Sequence, residues 1–265
     1  MKLSLIAFAA GLHCLASAEG SVIALDAARW WTGHPLEIQV CLGQRSEEAW
    51  VYGLIRPESV TPITPEMGTL ISAVLAAEYS RDGTGVEFKI NGQCAEVGKA
   101  KIDAVLFIGN ERYTNYEGTT GFTGFPESSS RGTLLPFIKI ILSKPTSFAV
   151  VTHSVIRFPM KTEDQFKITL IHEFGHLAGL AHEQNRAEAK VDLNCKLLPK
   201  AHRKPGHDYG NASLPPGSTA YGDYDASSLM NYCFEAYLKE NTMAEQVHLS
   251  AGDRAVLQHL YPKID

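Results

Sequence analysis

His172-Glu173-Phe174-Gly175-His176-Leu177-Ala178-Gly179-Leu180-Ala181-His182-Glu183 is the stretch on which the reading of this chain turns. A helix completes a turn in about 3.6 residues, so His172 and His176, four apart, project from one face and both imidazoles can reach a single ion. Glu173 follows the first histidine directly, where its carboxylate can serve a water in the remaining coordination position, the natural place for a general base. A third ligand on the next helical turn would be crowded. Gly179 solves this by letting the backbone leave the helix through a left-handed conformation, which swings His182 back toward the metal.

Chance is a weak competitor. A bare HExxH arises in roughly one chain in a hundred of this size, but requiring Gly179 and His182 as well lowers the coincidence to roughly one in 10^4. Histidines merely decorating a helix face are therefore the lesser reading. Upstream, Thr162-Glu163-Asp164-Gln165 has the form of a capping box, and Phe166, Ile168, Leu170, Ile171, Phe174 and Leu177 follow at helical spacing. These predict a helix running to about Ala178, stopped at Gly179. Downstream lies Ser228-Leu229-Met230-Asn231-Tyr232.

With both motifs in view, the sequence resembles the metzincins, zinc peptidases in which the extended histidine motif is followed by a tight methionine-containing turn beneath the metal. Finer matches are similar to the astacin branch. Glu183 directly follows the third histidine, Tyr232 follows Met230 by two, and Tyr224-Asp225-Ala226-Ser227-Ser228 is similar to the astacin lead-in. Asn231 departs from that branch, where histidine is usual. The resemblance spans about residues 162–261 and is specific around the two motifs.

It implies an α/β (α+β) catalytic domain over residues 19–265. A twisted mixed sheet with two long helices would form an N-terminal lobe, and a loop-rich C-terminal lobe would end in a helix. It further implies one catalytic zinc ion on His172, His176 and His182, Glu173 as general base, and Tyr232 as a fifth ligand or oxyanion donor. Met230 is implied as a packing floor, and Glu183 as the contact of a matured N-terminus, here Glu19. The implied activity is a zinc-dependent endopeptidase acting on a protein or peptide substrate laid along a strand edge, for which residues 137–142 are the candidate.

The rest of the chain is consistent with that frame. Leu36–Leu42 alternates apolar and polar residues as a half-buried first strand does. Thr64 and Pro65 open a helix carrying Met67, Leu70, Ile71, Val74 and Leu75, expected to end near Gly83. Residues 86–90 and 104–108 read as strands separated by an Asn91-Gly92 turn and the loop with Cys94, residues 110–132 as an exposed loop, and 184–222 as loop-like. Ser250-Ala251-Gly252-Asp253 caps a last helix with Val256, Leu257 and Leu260.

Met1, Lys2, the apolar run that follows and Ala16-Ser17-Ala18 form a secretory signal over residues 1–18. The short stretch from Ala18 to the strand at Leu36 suggests an enzyme that emerges without a long inhibitory segment. Cys14 invites a lipid-anchor reading, but His13 stands where a small residue is required. Removal of the signal leaves Cys41, Cys94, Cys195 and Cys233, an even number suited to an oxidising compartment. Of the three possible pairings, Cys41 with Cys94 and Cys195 with Cys233 would each staple one half of the chain, and no two cysteines are spaced as a zinc knuckle.

With 265 residues, 45% of them hydrophobic, the chain can build one sizeable core, and its formal charge of −5 without basic clusters argues against nucleic acid as a partner. A soluble, secreted monomer without a membrane anchor is expected. His153, His202, His207 and His248 read as surface or loop histidines, and Trp30, Trp31 and Trp50 as packing aromatics. Asn211-Ala212-Ser213 fits a glycosylation sequon. Two other functions stay open on the sequence: a binding or adhesion module on a zinc scaffold, which an intact Glu173 argues against, and a zinc amidase acting on cell-wall peptide.

Overall fold

The computed structural model describes residues 23–25, 33–43, 60–97, 102–109, 121–124, 147–152, 162–192, 218–233 and 247–263. The signal segment, Glu19, the three tryptophans, residues 137–142, His153, Cys195, His202, His207 and Asn211 lie outside them.

The elements, in chain order, are β1 (Ile23–Leu25), β2 (Leu36–Leu42), β3 (Val60–Thr61), α1 (Pro65–Glu78), β4 (Val86–Gln93), β5 (Ala104–Gly109), β6 (Gly121–Gly124) and β7 (Ser147–Thr152). They are followed by α2 (Thr162–Leu177), two 3-10 turns (Glu183–Asn185 and Ala187–Lys190), β8 (Ser218–Ala220) and α3 (Ala251–Leu260). Six strands form one mixed sheet in the order β4-β2-β5-β7-β6, with β3 paired to β5. Strands β4, β2, β5 and β7 run parallel, and β6 lies antiparallel to β7. β1 and β8 form a separate antiparallel pair.

The alternation in β2 is realised in three dimensions. Ile38 and Val40 are buried, while Glu37 and Gln39 face outward. Arg81 spans Glu37 and Glu87 on that polar side. The apolar side meets Ile71 and Leu75 of α1 and Phe166, Leu170 and Phe174 of α2 in one core. Each fully buried side chain of this kind contributes about 1.5–3 kcal/mol of transfer free energy. Tyr79, Phe88 and Phe174 pack edge to face, with ring centroids 5.0 and 4.7 Å apart.

Thr64 caps α1 by accepting the Met67 N–H, and Pro65 occupies the first turn. α1 stops at Glu78, short of the expected end near Gly83. The chain leaves the helix at Tyr79, whose buried hydroxyl donates to the Ile171 carbonyl at 2.6 Å and ties α1 to α2. Glu78, also buried, accepts from the Leu249 N–H and from Arg254. His248, expected to be a surface or loop residue, is exposed in the loop before α3 and shares this carboxylate through its Nδ1. In α2 the predicted cap cannot be followed, because the side chains of Thr162 and Gln165 lie outside the described residues. Among the described residues, no helix is long and apolar enough to cross a membrane.

Several sequence expectations are corrected. Asn91-Gly92 does not turn the chain between paired strands. β4 and β5 both run parallel to β2 on its opposite sides, so no hairpin joins them. β4 runs on to Gln93, and Gly92, at φ 86°, sits where the β2–β4 register slips by one residue. Part of the expected loop 110–132 is strand β6, held by pairing with β7. β7 itself, β1 and β3 were not anticipated, and the segment 184–222 begins with 3-10 turns and ends in β8. Short strands with little alternation owe their conformation to a neighbour.

Cys41 in β2 is bonded to Cys94, just beyond β4, with a sequence separation of 53. Cys233 is also in a disulfide; its expected partner, Cys195, lies outside the described residues. Closing the Cys41–Cys94 loop should stabilise the fold by roughly 4 kcal/mol through the unfolded chain. Replacing both cysteines by serine is expected to lower the denaturant midpoint accordingly, as read by urea unfolding.

Candidate metal centre

α2 presents His172 and His176 on its buried side, and its end delivers the third histidine. Gly179, at φ 100°, donates to the His176 carbonyl, and the Leu180 N–H reaches the Gly175 carbonyl at 2.9 Å, closing the helix as the chain turns back. His182 Nε2 then lies 3.2 Å from His172 Nε2 and 3.0 Å from His176 Nε2. The three ligating atoms all fall within 4.8 Å of one another.

Their protonation follows from what lies behind each ring. His172 Nδ1 is 2.8 Å from the Leu229 carbonyl, and His176 Nδ1 is 2.7 Å from the Leu180 carbonyl. A carbonyl only accepts, so each Nδ1 carries the proton and each neutral ring keeps its Nε2 lone pair for the centre. Lone pairs at such separations repel unless a cation lies between them. Tetrahedral bonds of about 2.0–2.1 Å would place ligand atoms roughly 3.3 Å apart, near the observed spacing. The donor set therefore fits one metal ion.

The turn holding Met230 forms the floor. Ser228 N–H bonds to the Asp225 carbonyl and Asn231 N–H to the Ser228 carbonyl. Met230 is fully buried, and a Cβ on Gly175 would stand 2.7 Å from its Sδ. Gly175 thus lets the turn approach α2 closely. The Tyr232 ring stacks on His172 at 5.4 Å and lies tilted against His182 at 4.4 Å, and the Tyr232 backbone N–H donates to Gln184 Oε1 at 3.0 Å. Asn231 donates to the Tyr224 hydroxyl and accepts from the Cys233 N–H, so it braces the turn.

Glu173 is buried beside His172, at 4% exposure. Glu183 is buried completely. Its N–H donates to the Met230 carbonyl and its Oε1 accepts from the Asp225 N–H, which joins the segment that follows the third histidine to the turn. Its Oε2 has no hydrogen-bond partner among the described residues, and burial pushes its carboxyl up to about 9. Gly175, Gln184 and Asp253 escaped the sequence reading as parts of this centre, Asp253 being signalled as a helix cap alone; Asp225 and Ser228 entered it within the lead-in and the methionine turn, without the contacts they make here.

No protein-family model matches the sequence, and no curated protein matches it. Solved structures do. This chain's fold is similar to that of myroilysin. One myroilysin structure aligns over 92% of this chain and 100% of its own, with a TM-score of 0.50 and 16% identity. A second covers 89% and 86%, with a TM-score of 0.40 and 15% identity. At such identity the likeness concerns the fold.

Gly175→Ala is expected to displace Met230 and lower stability by about 1–3 kcal/mol, outweighing the better helix propensity of alanine; chemical denaturation checks it. Asp253 supplies a pH test. Burial pushes its carboxyl up to about 6 despite hydrogen bonds from Ser228 and Ser250 that pull it down. Between about pH 4 and that value the native state keeps a proton the unfolded chain has lost, so this stabilisation is full at low pH and disappears as pH rises. The stability difference between wild type and Asp253→Asn should change across that window and be flat above it.

Proposed function

We propose that the chain is a secreted, zinc-dependent endopeptidase that hydrolyses peptide bonds of protein substrates. The observation that carries this reading is the convergence of His172, His176 and His182 Nε2 atoms with Glu173 buried next to the first of them. Three neutral imidazoles leave a divalent cation its full charge and, in a four-coordinate site, one position for water and substrate. Zinc is the metal that this all-nitrogen set suits in a disulfide-containing protein, where redox chemistry is not required. The Cys41–Cys94 bridge and the signal over residues 1–18 support an oxidising, extracytoplasmic setting.

When bound, zinc lowers the pKa of a coordinated water toward 7 and polarises a substrate carbonyl. The chain supplies the rest. Glu173 takes the proton from the attacking water and passes it to the leaving amide nitrogen as the C–N bond breaks. Tyr232, beside His172 and His182, offers a hydroxyl to the developing oxyanion. Met230 and Gly175 hold the floor, and residues 137–142, the candidate strand edge, would offer backbone pairing to an extended substrate, which is expected to bind a monomer.

Incubating purified protein with casein and a peptide library, with and without a zinc chelator, tests the reading. Cleavage abolished by the chelator and restored by zinc is the expected result; absence of cleavage by the zinc-loaded protein would sink it. Glu173→Ala should stay folded and zinc-bound while activity drops by several orders of magnitude. Tyr232→Phe should cost less, and an accompanying loss of metal content would identify the phenol as a ligand.

A further inference from the structure

Asp253 has no part in the chemistry above, yet it is completely buried. Its Oδ2 accepts from the N–H groups of Ser250 and Leu229, at 3.0 and 3.2 Å, which closes the cap of α3 and docks the methionine turn on it. Its Oδ1 accepts the Ser228 hydroxyl proton at 2.7 Å. That hydroxyl oxygen in turn accepts the Met230 N–H at 3.0 Å. The Met230 N–H belongs to the same peptide unit as the Leu229 carbonyl, and the Leu229 carbonyl accepts the His172 Nδ1 proton. An unbroken line of hydrogen bonds, every donor pointing the same way, thus runs from the imidazole to a buried carboxylate.

We propose that Asp253 is a positioning residue for His172, acting through Ser228 and the 229–230 peptide to orient the imidazole and make its Nε2 a stronger metal donor. Each bond in such a line polarises the next, and a negative terminus draws the Nδ1 proton outward, leaving more electron density on Nε2. His176 provides an internal comparison, because its Nδ1 proton goes to the Leu180 carbonyl instead. The α3 terminus is thereby wired to one ligand of the trio. The proposal rests on the metal reading of the site but not on peptide cleavage.

Zinc affinity of the purified protein, measured by competition with a chromophoric chelator, tests it. Asp253→Asn keeps an oxygen that accepts from the Ser250 and Leu229 N–H groups and places an amide that donates to Ser228 Oγ, while removing the charge. Asp253→Asn is expected to bind zinc about tenfold to a hundredfold more weakly with a melting temperature no lower than wild type. Ser228→Ala should weaken zinc binding by a similar factor, and the double variant no further than either single one, since both interrupt one line. In NMR spectra of the zinc-loaded protein, the His172 Nδ1 proton should shift in Asp253→Asn while that of His176 stays.

Zinc affinity within twofold of wild type in folded Asp253→Asn, or equal shifts of both histidine protons, overturns the proposal. If Asp253→Asn does not fold, Ser228→Ala decides on the same criterion. Unchanged zinc affinity in His176→Ala would place the failure in the metal reading itself and remove the proposal with it. Absence of peptide cleavage in a protein that binds zinc as described leaves the relay supported and counts only against the proteolytic reading.

Discussion

Three imidazole lone pairs directed at one point cannot stay together unless the protein holds each ring from behind. Two backbone carbonyls do this, Leu229 for His172 and Leu180 for His176, and each fixes both a rotation and a tautomer. The Leu180 carbonyl comes from the segment that closes α2, so the helix end and the second ligand are one construction. The Leu229 carbonyl comes from more than fifty residues away, so the first ligand depends on docking of the methionine turn. Without that docking His172 would retain only its helical position.

The docking is in turn braced from several sides. Glu183 joins the segment of the third histidine to Met230 and Asp225, Asp225 accepts from the Ser250 hydroxyl, and Asp253 gathers Ser228, Leu229 and Ser250. Arg186 threads the carbonyls of residues 221–223 from beneath. Buried carboxylates are costly to desolvate, and Asp225 and Asp253 are retained with donors gathered around both of their oxygens. Their placement between the metal turn and α3 makes the C-terminal lobe a support for the ligands rather than an appendage to the sheet.

The sheet and α1 set the other wall. Phe174 of α2 rests on Phe88 of β4, while the Tyr79 hydroxyl grips the Ile171 carbonyl one residue before His172. Tyr261 does the same from α3, donating to the Ala178 carbonyl beside the glycine that ends α2. The helix that carries His172 and His176 is therefore clamped by tyrosines from elements far away in sequence, at one carbonyl within it and one just past its end. Apolar packing sets its depth, and these hydrogen bonds set its rotation.

What could be read from the chain alone was everything governed by local periodicity or by chemistry at short spacing. The helical pair His172 and His176, the turn at Gly179, the strand Leu36–Leu42, and the caps at Thr64 and Ser250 each rest on interactions within a few residues, and the structure places them as expected. Asn91-Gly92 and the glycine-rich segment around Gly121–Gly124 were misread because their conformations are imposed by neighbouring strands. Gly175, Gln184 and Asp253 carry no local mark of their place in the site. Their meaning lies in a sulfur, a peptide N–H and a hydroxyl that approach only when distant segments pack, and burial of those polar groups leaves them no water to bond instead.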